Sequence, residues 1–320
     1  MNEIQLIDKF LKRLTKKKSS SQGLNDDIFF DKSNKLAVSV DTYVEKVHFP
    51  NFKAPNLVIK KILRSSLSDL ICKGVKPKYY FISASGNSKS FSNKNLRKIS
   101  NSLSLEQKKF DIELSGGDTV YSNTNSFTCC VIGFSNKIVK RHNSMIGDDI
   151  YITGHLGDSF IGLQILKKKI SIPKRLKKYF ISKFYMPSIN LKMVNFLQKF
   201  ANTSIDISDG LLIDLKKMIR EQKHGFSLKL DDIKLSNQLK DVLSRNKRFK
   251  IENIIFNGDD YEIIFTSHKK NRSLINKYAK SKKLKIQRIG KILKKHQDSC
   301  ILKGNNKFRI NKNLGYTHQF

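Results

Sequence analysis

The chain has few acidic residues and lacks the common nucleotide-binding and catalytic signatures. Its 320 residues include 62 Lys and Arg but only 27 Asp and Glu, which gives a net charge of +35. No segment matches the phosphate-binding loop G-x-x-x-x-G-K-[ST], and none matches G-x-G-x-x-G, G-x-S-x-G or H-E-x-x-H. We therefore do not expect one of the common nucleotide-binding folds.

Cysteine and long apolar runs are also scarce. The four cysteines form neither a C-x-x-C pair nor a Cys/His cluster with the spacing of a zinc site, which favours a reduced, cytoplasmic protein. No apolar run approaches the roughly 20 residues that span a bilayer. The first segment, IQLIDKFLKRL, lacks the apolar core of a signal peptide, and its spacing predicts an amphipathic helix. We expect no membrane partner.

The positive charge is spread along the whole chain. Lysine runs occur at 16–18 and 167–169, among many others, and no single basic tail is present. This distribution favours a solvated surface bias, from which an anionic small substrate would benefit secondarily. A basic nucleic-acid-binding protein remains an alternative, although no RNA-binding or DNA-binding motif accompanies the charge. We expect no specific nucleic-acid partner.

Ten of the acidic residues lie in short apolar segments without lysine or arginine. These segments are 36–45, the region around 116–118, 205–215 and 256–265. Their β-branched and aromatic residues predict buried strands. A buried carboxylate is costly unless it is paired, hydrogen-bonded or bound to a cation, so a divalent metal is the simplest local partner. The alternative is that each Asp caps a turn or a helix.

The pattern of elements predicts two α/β domains. A helix is predicted over 55–74, and strands are predicted over 78–85, 111–115 and 126–134. A polar, basic connector at 137–147 precedes a second series of alternating strands and helices. We therefore divide the chain into domains 1–140 and 147–320.

Oxygen-bearing side chains suited to Mg²⁺ recur in these segments. They are Asp26, Asp27, Ser39, Asp41, Asp69, Asp118, Asp206, Ser208 and Asp209. Magnesium takes only one or two protein carboxylates per ion, so several ions around a triphosphate would use many scattered carboxylates. The pattern favours metal-assisted phosphoryl transfer. The Gly116–Asp118 segment is predicted to follow a strand, where its glycines could either contact a phosphate or form a tight turn. For Ser208 and Asp209, the alternative to a functional role is that one of them is the N-cap of the following helix.

The motifs, taken in order, resemble those of the thiamine-monophosphate kinase family, within the aminoimidazole-ribotide-synthetase-like superfamily. They are SVDTYVEKVHF, SLSDLICKGVKP, SGGDT, TGHLGDSFIGL, DISDGLLIDL and NGDDYEIIFT, and the similarity runs from about residue 23 to 316. The resemblance implies transfer of the γ-phosphoryl group of ATP to thiamine monophosphate, giving thiamine diphosphate and ADP. It implies a two-domain α/β (α+β) fold of the synthetase-like type. It further implies a homodimer in which the sheets of the N-terminal domains pair into a barrel, with the active site between the two domains.

The resemblance also implies roles for individual residues. The implied magnesium ligands are Asp27, Ser39, Val40, Asp41, Asp69, Asp118, Asp206 and Asp209, with Val40 acting through its backbone. The implied ATP contacts are Gly117, Asp118, Arg141 and Ser208, and the implied thiamine monophosphate contacts are His48, Asp259 and Tyr316. Among these, Asp41, Asp118 and Asp209 are expected to be catalytic. Asp259 replaces the Glu that is usual in the family. Lys46 replaces a usual Gly. The lysine either adds positive charge near the phosphates or indicates that this position does not need a positive φ.

Other ATP-using members of the same superfamily are the nearest alternatives. They include aminoimidazole ribotide synthetases, selenophosphate synthetases and hydrogenase-maturation factors. Selenophosphate synthetases usually carry a reactive Cys or selenocysteine near the N-terminus, whereas the first cysteine here is Cys72, inside a predicted helix. The number of Mg²⁺ ions is left open by the sequence.

Overall fold

The structure is a computed structural model, and it describes residues 1–15, 20–246, 249–295, 297–308 and 315–319. A first sheet contains β1 (Phe29–Asp31), β2 (Leu36–Val44), β3 (Lys76–Gly86), β4 (Glu113–Tyr121) and β5 (Ser126–Phe134), in the order β1-β2-β5-β3-β4. The sheet is open, with β1 and β4 as its edges, so the described part of one chain contains no closed barrel in this region. The strand predicted over 126–134 is confirmed by β5.

Pairing in the first sheet is antiparallel between β2 and β5 and between β5 and β3, and parallel between β3 and β4. Paired residues on neighbouring strands point to the same face of a sheet. On one face, which we call the inner face, Ala37, Tyr43 and Val131 are buried against helix α2 (Pro55–Cys72). The opposite, outer face has no helix packed on it within the described residues.

Helix α2 begins with Pro55 and ends just before Gly74, whose φ of +73° is favourable for glycine. Most of its side chains are buried, because it packs against the first sheet and also against elements of the second half of the chain. It therefore joins the two halves. Helix α3 (Asn93–Phe110) packs beside it.

The second sheet has seven strands, in the order β12-β11-β8-β10-β6-β9-β7. They are β6 (Asp149–Thr153), β7 (Thr203–Asp206), β8 (His224–Lys229), β9 (Ile263–Ser267), β10 (Ile286–Lys295), β11 (Cys300–Lys303) and β12 (Asn306–Phe308). The helices around it are α4 (Asp158–Leu166), α5 (Lys174–Tyr185), α6 (Lys192–Phe200), α7 (Leu211–Ile219), α8 (Asn237–Arg245), α9 (Ile251–Ile255) and α10 (Arg272–Lys282). The strands of the first sheet all precede residue 135 and those of the second all follow 148, so the predicted connector lies between them. The exact domain bounds of 1–140 and 147–320 stay a prediction.

Three local predictions differ from the structure. The Gly116–Asp118 segment does not follow a strand but lies inside β4, which is longer than predicted because it pairs along its whole length with β3. The strand predicted to include Asp259 begins only at Ile263. The N-terminal helix consists of a short α-helix, α1 (Glu3–Leu6), that continues as a π-helical segment (Ile7–Leu11) and a 3₁₀ turn (Lys12–Leu14). In the described part of the chain, no helix combines the length and the apolar character needed to cross a bilayer.

Candidate active site

Three acidic side chains from separate elements meet between the two sheets. Asp41 lies on the inner face of β2, Asp69 lies in the last turn of α2, and Asp206 ends β7. Ser39 donates a hydrogen bond from Oγ to Oδ2 of Asp69. The hydroxyl of Tyr43 donates to Oδ2 of Asp41 at 3.0 Å. We call Asp41, Asp69 and Asp206 the carboxylate cluster.

The electrostatics of this cluster favour a bound cation. Burial raises the pKa of Asp41, and burial together with the charges of Asp41 and Asp206 raises the pKa of Asp69 well above its usual value. Burial raises the pKa of Asp206 to about 6, with Asp41 adding to the shift. Oδ2 of Asp206 is buried and has no hydrogen-bond partner. A buried carboxylate oxygen without a partner is unfavourable unless a cation binds it.

The cluster is open and does not form a closed metal cage. Among the described residues, no three His, Cys, Asp or Glu side chains are arranged so that they alone could hold an ion. Mg²⁺ commonly takes one or two carboxylates and completes its shell with water and phosphate oxygens. The donor set of carboxylates and a serine hydroxyl therefore fits magnesium better than zinc, which prefers His and Cys.

Asp26 and Asp27 lie next to the cluster and are already paired with basic groups. Nζ of the fully buried Lys73 is 2.8 Å from Oδ1 of Asp26 and 2.6 Å from Oδ2 of Asp27. The Arg141 guanidinium also forms an ion pair with Asp27, and the Arg141 N–H donates to Oδ2 of Asp26 at 2.9 Å. Arg141 thus reaches these two carboxylates from the connector. Sequence reasoning missed Lys73, although it lies within the SLSDLICKGVKP motif.

The loop between β7 and α7 carries Ser208 and Asp209 and is fixed by Asp214. Oδ2 of Asp214, in the first turn of α7, accepts hydrogen bonds from the backbone N–H groups of Asp209 and Gly210, each at 2.9 Å. Lys217 forms an ion pair with Asp209. The alternative of Ser208 or Asp209 as a side-chain N-cap does not hold, because Gly210 is the N-cap and no side-chain cap bond forms. Sequence reasoning did not assign Asp214, and its place four residues after Gly210 was the available signal.

A second loop, 257–262, packs directly on the first. The N–H of Asp259 donates to the Ser208 carbonyl at 2.8 Å, and the N–H of Tyr261 donates to that of Ile207 at 2.8 Å. A Cβ added at Gly258 would overlap the Ser208 carbonyl oxygen. This close approach of two backbones requires glycine and places Asp259 beside the β7–α7 loop.

Asp259 is held by a second buried lysine that sequence reasoning missed. Nζ of Lys61, on α2, lies 2.5 Å from Oδ1 of Asp259, and the Lys61 side chain is only 1% exposed. The same ammonium lies 4.0 Å from the centre of the Phe184 ring. Asp259 has a φ of +70°, a strained value for a residue other than glycine.

The residues predicted to contact the substrate are brought together. Tyr316 donates its N–H to the Asp209 carbonyl at 3.0 Å, and its ring makes an edge contact with His318. His318 in turn lies 5.6 Å, centre to centre, from the His48 ring. Asp259 is close enough to influence the charge of both His48 and Tyr316. The structure thus gathers residues that lie far apart in the sequence.

His48 is a neutral hydrogen-bonding group in this arrangement. Its Nδ1 accepts a hydrogen bond from the Val44 N–H at 2.9 Å, so the proton of the neutral ring is on Nε2. Burial and the nearby His318 lower the pKa of His48. Lys46, just before it, has a φ of +70°. The suggestion that this position needs no positive φ is therefore wrong, because the tight turn after β2 requires it.

Asp118, Gly117 and Val40 lie apart from the carboxylate cluster within one chain. Across the sheet, Asp41 on β2 pairs with Cys129 on β5, Cys129 pairs with Ile82 on β3, and Ile82 pairs with Gly117 on β4. Asp41 and Gly117 are therefore three strand spacings apart, about 14 Å. Asp118 is in register with Ser83 and lies on the exposed outer face, as does Val40, which is 61% exposed. A Cβ at Gly117 would overlap the Ile82 carbonyl oxygen, so strand packing already explains this glycine.

Comparison with known proteins gives a consistent result. A family model described as "AIR synthase related protein, N-terminal domain" matches residues 25–135. The chain is 35% identical to the thiamine-monophosphate kinase of Buchnera aphidicola subsp. Schizaphis graminum, over 99% of this chain and 98% of that protein. A solved structure described as "AaThiL complexed with AMPPCP and TMP" superposes with a TM-score of 0.86 at 25% identity, covering 99% of this chain and 97% of that one. The crystal structure of thiamine monophosphate kinase from Aquifex aeolicus gives a TM-score of 0.80 at 25% identity, covering 96% and 99% of the two chains.

Proposed function

The chain belongs to the thiamine-monophosphate kinase family, and we propose that it transfers the γ-phosphoryl group of ATP directly to a phosphate oxygen of thiamine monophosphate with the help of Mg²⁺. The full-length similarity to a kinase of this family favours this activity over those of the sister enzymes in the superfamily. The basic nucleic-acid-binding alternative has no comparable support.

The buried, unpartnered Oδ2 of Asp206 carries this proposal on the structural side. Together with Asp41 and Asp69 it forms a set of oxygen donors without a neutralising side chain in hydrogen-bond contact. Ser39 supplies a hydroxyl at the same place. We assign the magnesium site to these four residues. Bound there, Mg²⁺ would neutralise and orient the phosphate groups of ATP.

The chain's own residues then bind and position the two substrates. A phosphate oxygen of thiamine monophosphate is already ionised at neutral pH, so no general base is needed. Arg141 and Ser208 lie beside the carboxylate cluster, where they are suited to contact the phosphates of the nucleotide. Nε2 of the neutral His48 can donate a hydrogen bond, and Tyr316 and Asp259 provide an aromatic ring and an acceptor for the organic part of thiamine monophosphate. Asp209 follows Ser208, its carbonyl oxygen accepts the Tyr316 N–H, and its carboxylate is paired with Lys217.

We also propose the homodimer and the two-domain division that the resemblance implies. The outer face of the first sheet lacks a covering layer within the described residues, and all nine residues of β4 are exposed. Long exposed edges and open faces of this kind are usually covered in a stable protein. Pairing of two such sheets would cover both. Asp118 on this face would then lie at or near the dimer interface, from which it would contact the nucleotide.

The test is product formation by the purified protein. ATP and thiamine monophosphate are incubated with the protein, with Mg²⁺ or with EDTA, and ADP and thiamine diphosphate are quantified. We expect equal amounts of both products only with Mg²⁺, and a loss of both in Asp206→Asn. If folded protein produces ADP without thiamine diphosphate, or produces neither, then the proposed acceptor is wrong.

A further inference from the structure

Lys73 has an unusual position for a lysine. It is the first residue after α2, and its side chain is completely buried, with an exposure of 0%. Its ammonium contacts Oδ1 of Asp26, Oδ2 of Asp27 and, at 2.6 Å, the carbonyl oxygen of Ser204. All three of its N–H donors can therefore be used by oxygen atoms of the protein, and the side chain is not exposed to solvent.

This environment resembles that of a metal ion. Lysine places a compact positive charge at the end of a flexible stem, and here three oxygen atoms, two of them from carboxylates, surround that charge. Arg141 adds a second positive charge at Asp27. The two carboxylates of Asp26 and Asp27 are thus balanced by two side-chain cations. A magnesium ion bound to the same oxygen atoms would lie roughly 2.0–2.1 Å from each of them. The Lys73 ammonium already occupies that position, so the two cations cannot both be bound there.

The carboxylate cluster, in the same cleft, has the opposite character. Within the described part of the chain, Asp41, Asp69 and Asp206 form no ion pair with a lysine or arginine. The positive charges of Arg141 and Lys73 influence the pKa of Asp206, but both groups are paired with Asp26 or Asp27. Oδ2 of Asp206 also has no hydrogen-bond partner. Two neighbouring groups of carboxylates therefore differ in one respect: one is neutralised by the chain itself and the other is not.

We propose that the ammonium of Lys73 replaces a metal ion at Asp26 and Asp27, so that this chain binds its divalent ions through Asp41, Asp69 and Asp206 and not through Asp27. This inference rests on the proposed function for the presence of divalent ions in the cleft. It removes the metal contact at Asp27 that the resemblance implies. The tethered charge also keeps the N-terminal segment around Asp26 attached to α2 and β7 when no metal is bound.

Metal binding without substrates tests the inference. Mn²⁺ serves as a spectroscopic substitute for Mg²⁺, and the free ion is measured by electron paramagnetic resonance as protein is titrated. Lys73→Met removes the charge but keeps an unbranched side chain of similar length, and Lys108→Met, on the exposed surface of α3, is the matched control. We expect Lys73→Met to bind one more Mn²⁺ per chain than the wild type, and Lys108→Met to bind the same number. Adding Asp27→Asn to Lys73→Met should remove the extra ion.

A second measurement does not depend on Lys73→Met folding. In the wild-type background, Asp27→Asn should leave the number of bound Mn²⁺ ions unchanged, whereas Asp41→Asn should reduce it. A reduced number in Asp27→Asn, or an unchanged number in folded Lys73→Met, overturns the inference. Because these readouts are binding numbers, they are independent of turnover. If the wild type is an active kinase and Lys73→Met binds no additional Mn²⁺, this inference is refuted and the proposed function stands. If the numbers of bound Mn²⁺ are as expected but the wild type has no kinase activity, the proposed function is refuted and this inference stands.

Discussion

Asp41 and Asp118 are both expected to be catalytic, yet they lie on opposite faces of the same sheet. Asp41 faces the buried cleft, with its hydroxyl partner Tyr43 and the neighbouring Asp69. Asp118 lies on the exposed outer face, where its Oδ1 accepts the N–H of Thr119 at 2.8 Å. Within one chain, the two carboxylates cannot share an ion. Their contributions to catalysis should therefore differ in kind.

Two single substitutions separate these contributions. We expect Asp41→Asn to abolish the increase in melting temperature that Mg²⁺ alone produces, because it removes a metal ligand. Asp118→Asn should keep that increase. Both should lower kcat by on the order of 10²- to 10³-fold, as is typical when one electrostatic contact to the reacting groups is removed. The measurements are thermal unfolding with and without Mg²⁺, and steady-state kinetics. A normal kcat in both variants would remove the metal and nucleotide assignments.

The sequence singled out the acidic residues of the site and Arg141, but not the two buried lysines, Lys61 and Lys73, that pair with these acids. Asp206 and Asp209 lie three positions apart in one motif, and the local pattern is enough to single them out. Lys61 and Asp259 are separated by 198 positions, and their contact depends on how α2 packs between the two sheets. Lys73 could not be distinguished from the many other lysines of a chain with a net charge of +35. Burial, which the sequence does not state, is what separates them.

At the scale of elements, helix α2 connects the expected substrate site to the metal site. Lys61, three turns before the C-terminus of α2, bonds Asp259, and Asp69 lies in its last turn. We expect Lys61→Met to raise the KM for thiamine monophosphate about tenfold, equivalent to about 1.4 kcal/mol, because Asp259 loses the contact that orients it. The KM for ATP should change much less.

The same variant should lower the free energy of unfolding by about 1–3 kcal/mol, less than for a fully buried pair, because Asp259 is 26% exposed. Lys60→Met, one residue earlier on α2, is the control and should leave both quantities near the wild-type values. An equal rise in the two KM values would indicate a general disturbance of the helix and would argue against a specific role in orienting Asp259.

Glu262, directly before β9 of the second sheet, carries a carboxyl group that should make stability depend on pH. Burial raises the pKa of Glu262 from 4.5 to about 7, and Thr153 donates to its Oε2. The folded protein thus keeps a proton that the unfolded chain releases at lower pH. The resulting stabilisation is complete below about pH 4.5 and is lost as the pH rises through about 7.

Glu262→Gln is neutral at every pH and keeps the shape of the side chain. We expect it to raise the melting temperature relative to the wild type more at pH 8 than at pH 5, with a difference worth about 1–3 kcal/mol. Glu113→Gln, on the exposed β4, is the control. Equal shifts at the two pH values would show that Glu262 is ionised in the folded protein throughout this range.

Among the elements, the helices and strands with strong local patterns could be predicted, and β4 could not. Strand β5 alternates buried and partly buried residues in a regular way, and α2 has proline at its start and glycine after its end. The segment Ser115–Asp118 resembles a turn in sequence, because of its two glycines. It is a strand because Gly117 permits the close approach of the Ile82 backbone. That constraint comes from the neighbouring strand and is not visible locally.

At the scale of the whole molecule, we expect the outer face of the first sheet to be covered by a second copy of the chain. Val40, Val120 and Phe134 are 61%, 54% and 48% exposed, and Val40 and Val120 lie at opposite sides of this face. Apolar side chains on an uncovered sheet face are unfavourable in water, and a second sheet of the same kind would cover them. We therefore expect a particle of twice the 36.9 kDa chain mass in solution.

A charge introduced on this face tests the expected dimer. Val120→Lys should produce monomers, because a lysine on this face would lose its water in the paired sheets without gaining a partner. Leu105→Lys, at a residue of α3 that is 59% exposed, is the matched control and should leave the dimer intact. The measurement is molar mass by light scattering after gel filtration, over a range of protein concentrations. If Asp118 acts from the interface, then Val120→Lys should also lose kinase activity while keeping the Mg²⁺-induced rise in melting temperature, since Asp41, Asp69 and Asp206 lie within one chain. A wild type that is monomeric at all concentrations, or a fully active Val120→Lys monomer, would place every group required for catalysis within a single chain.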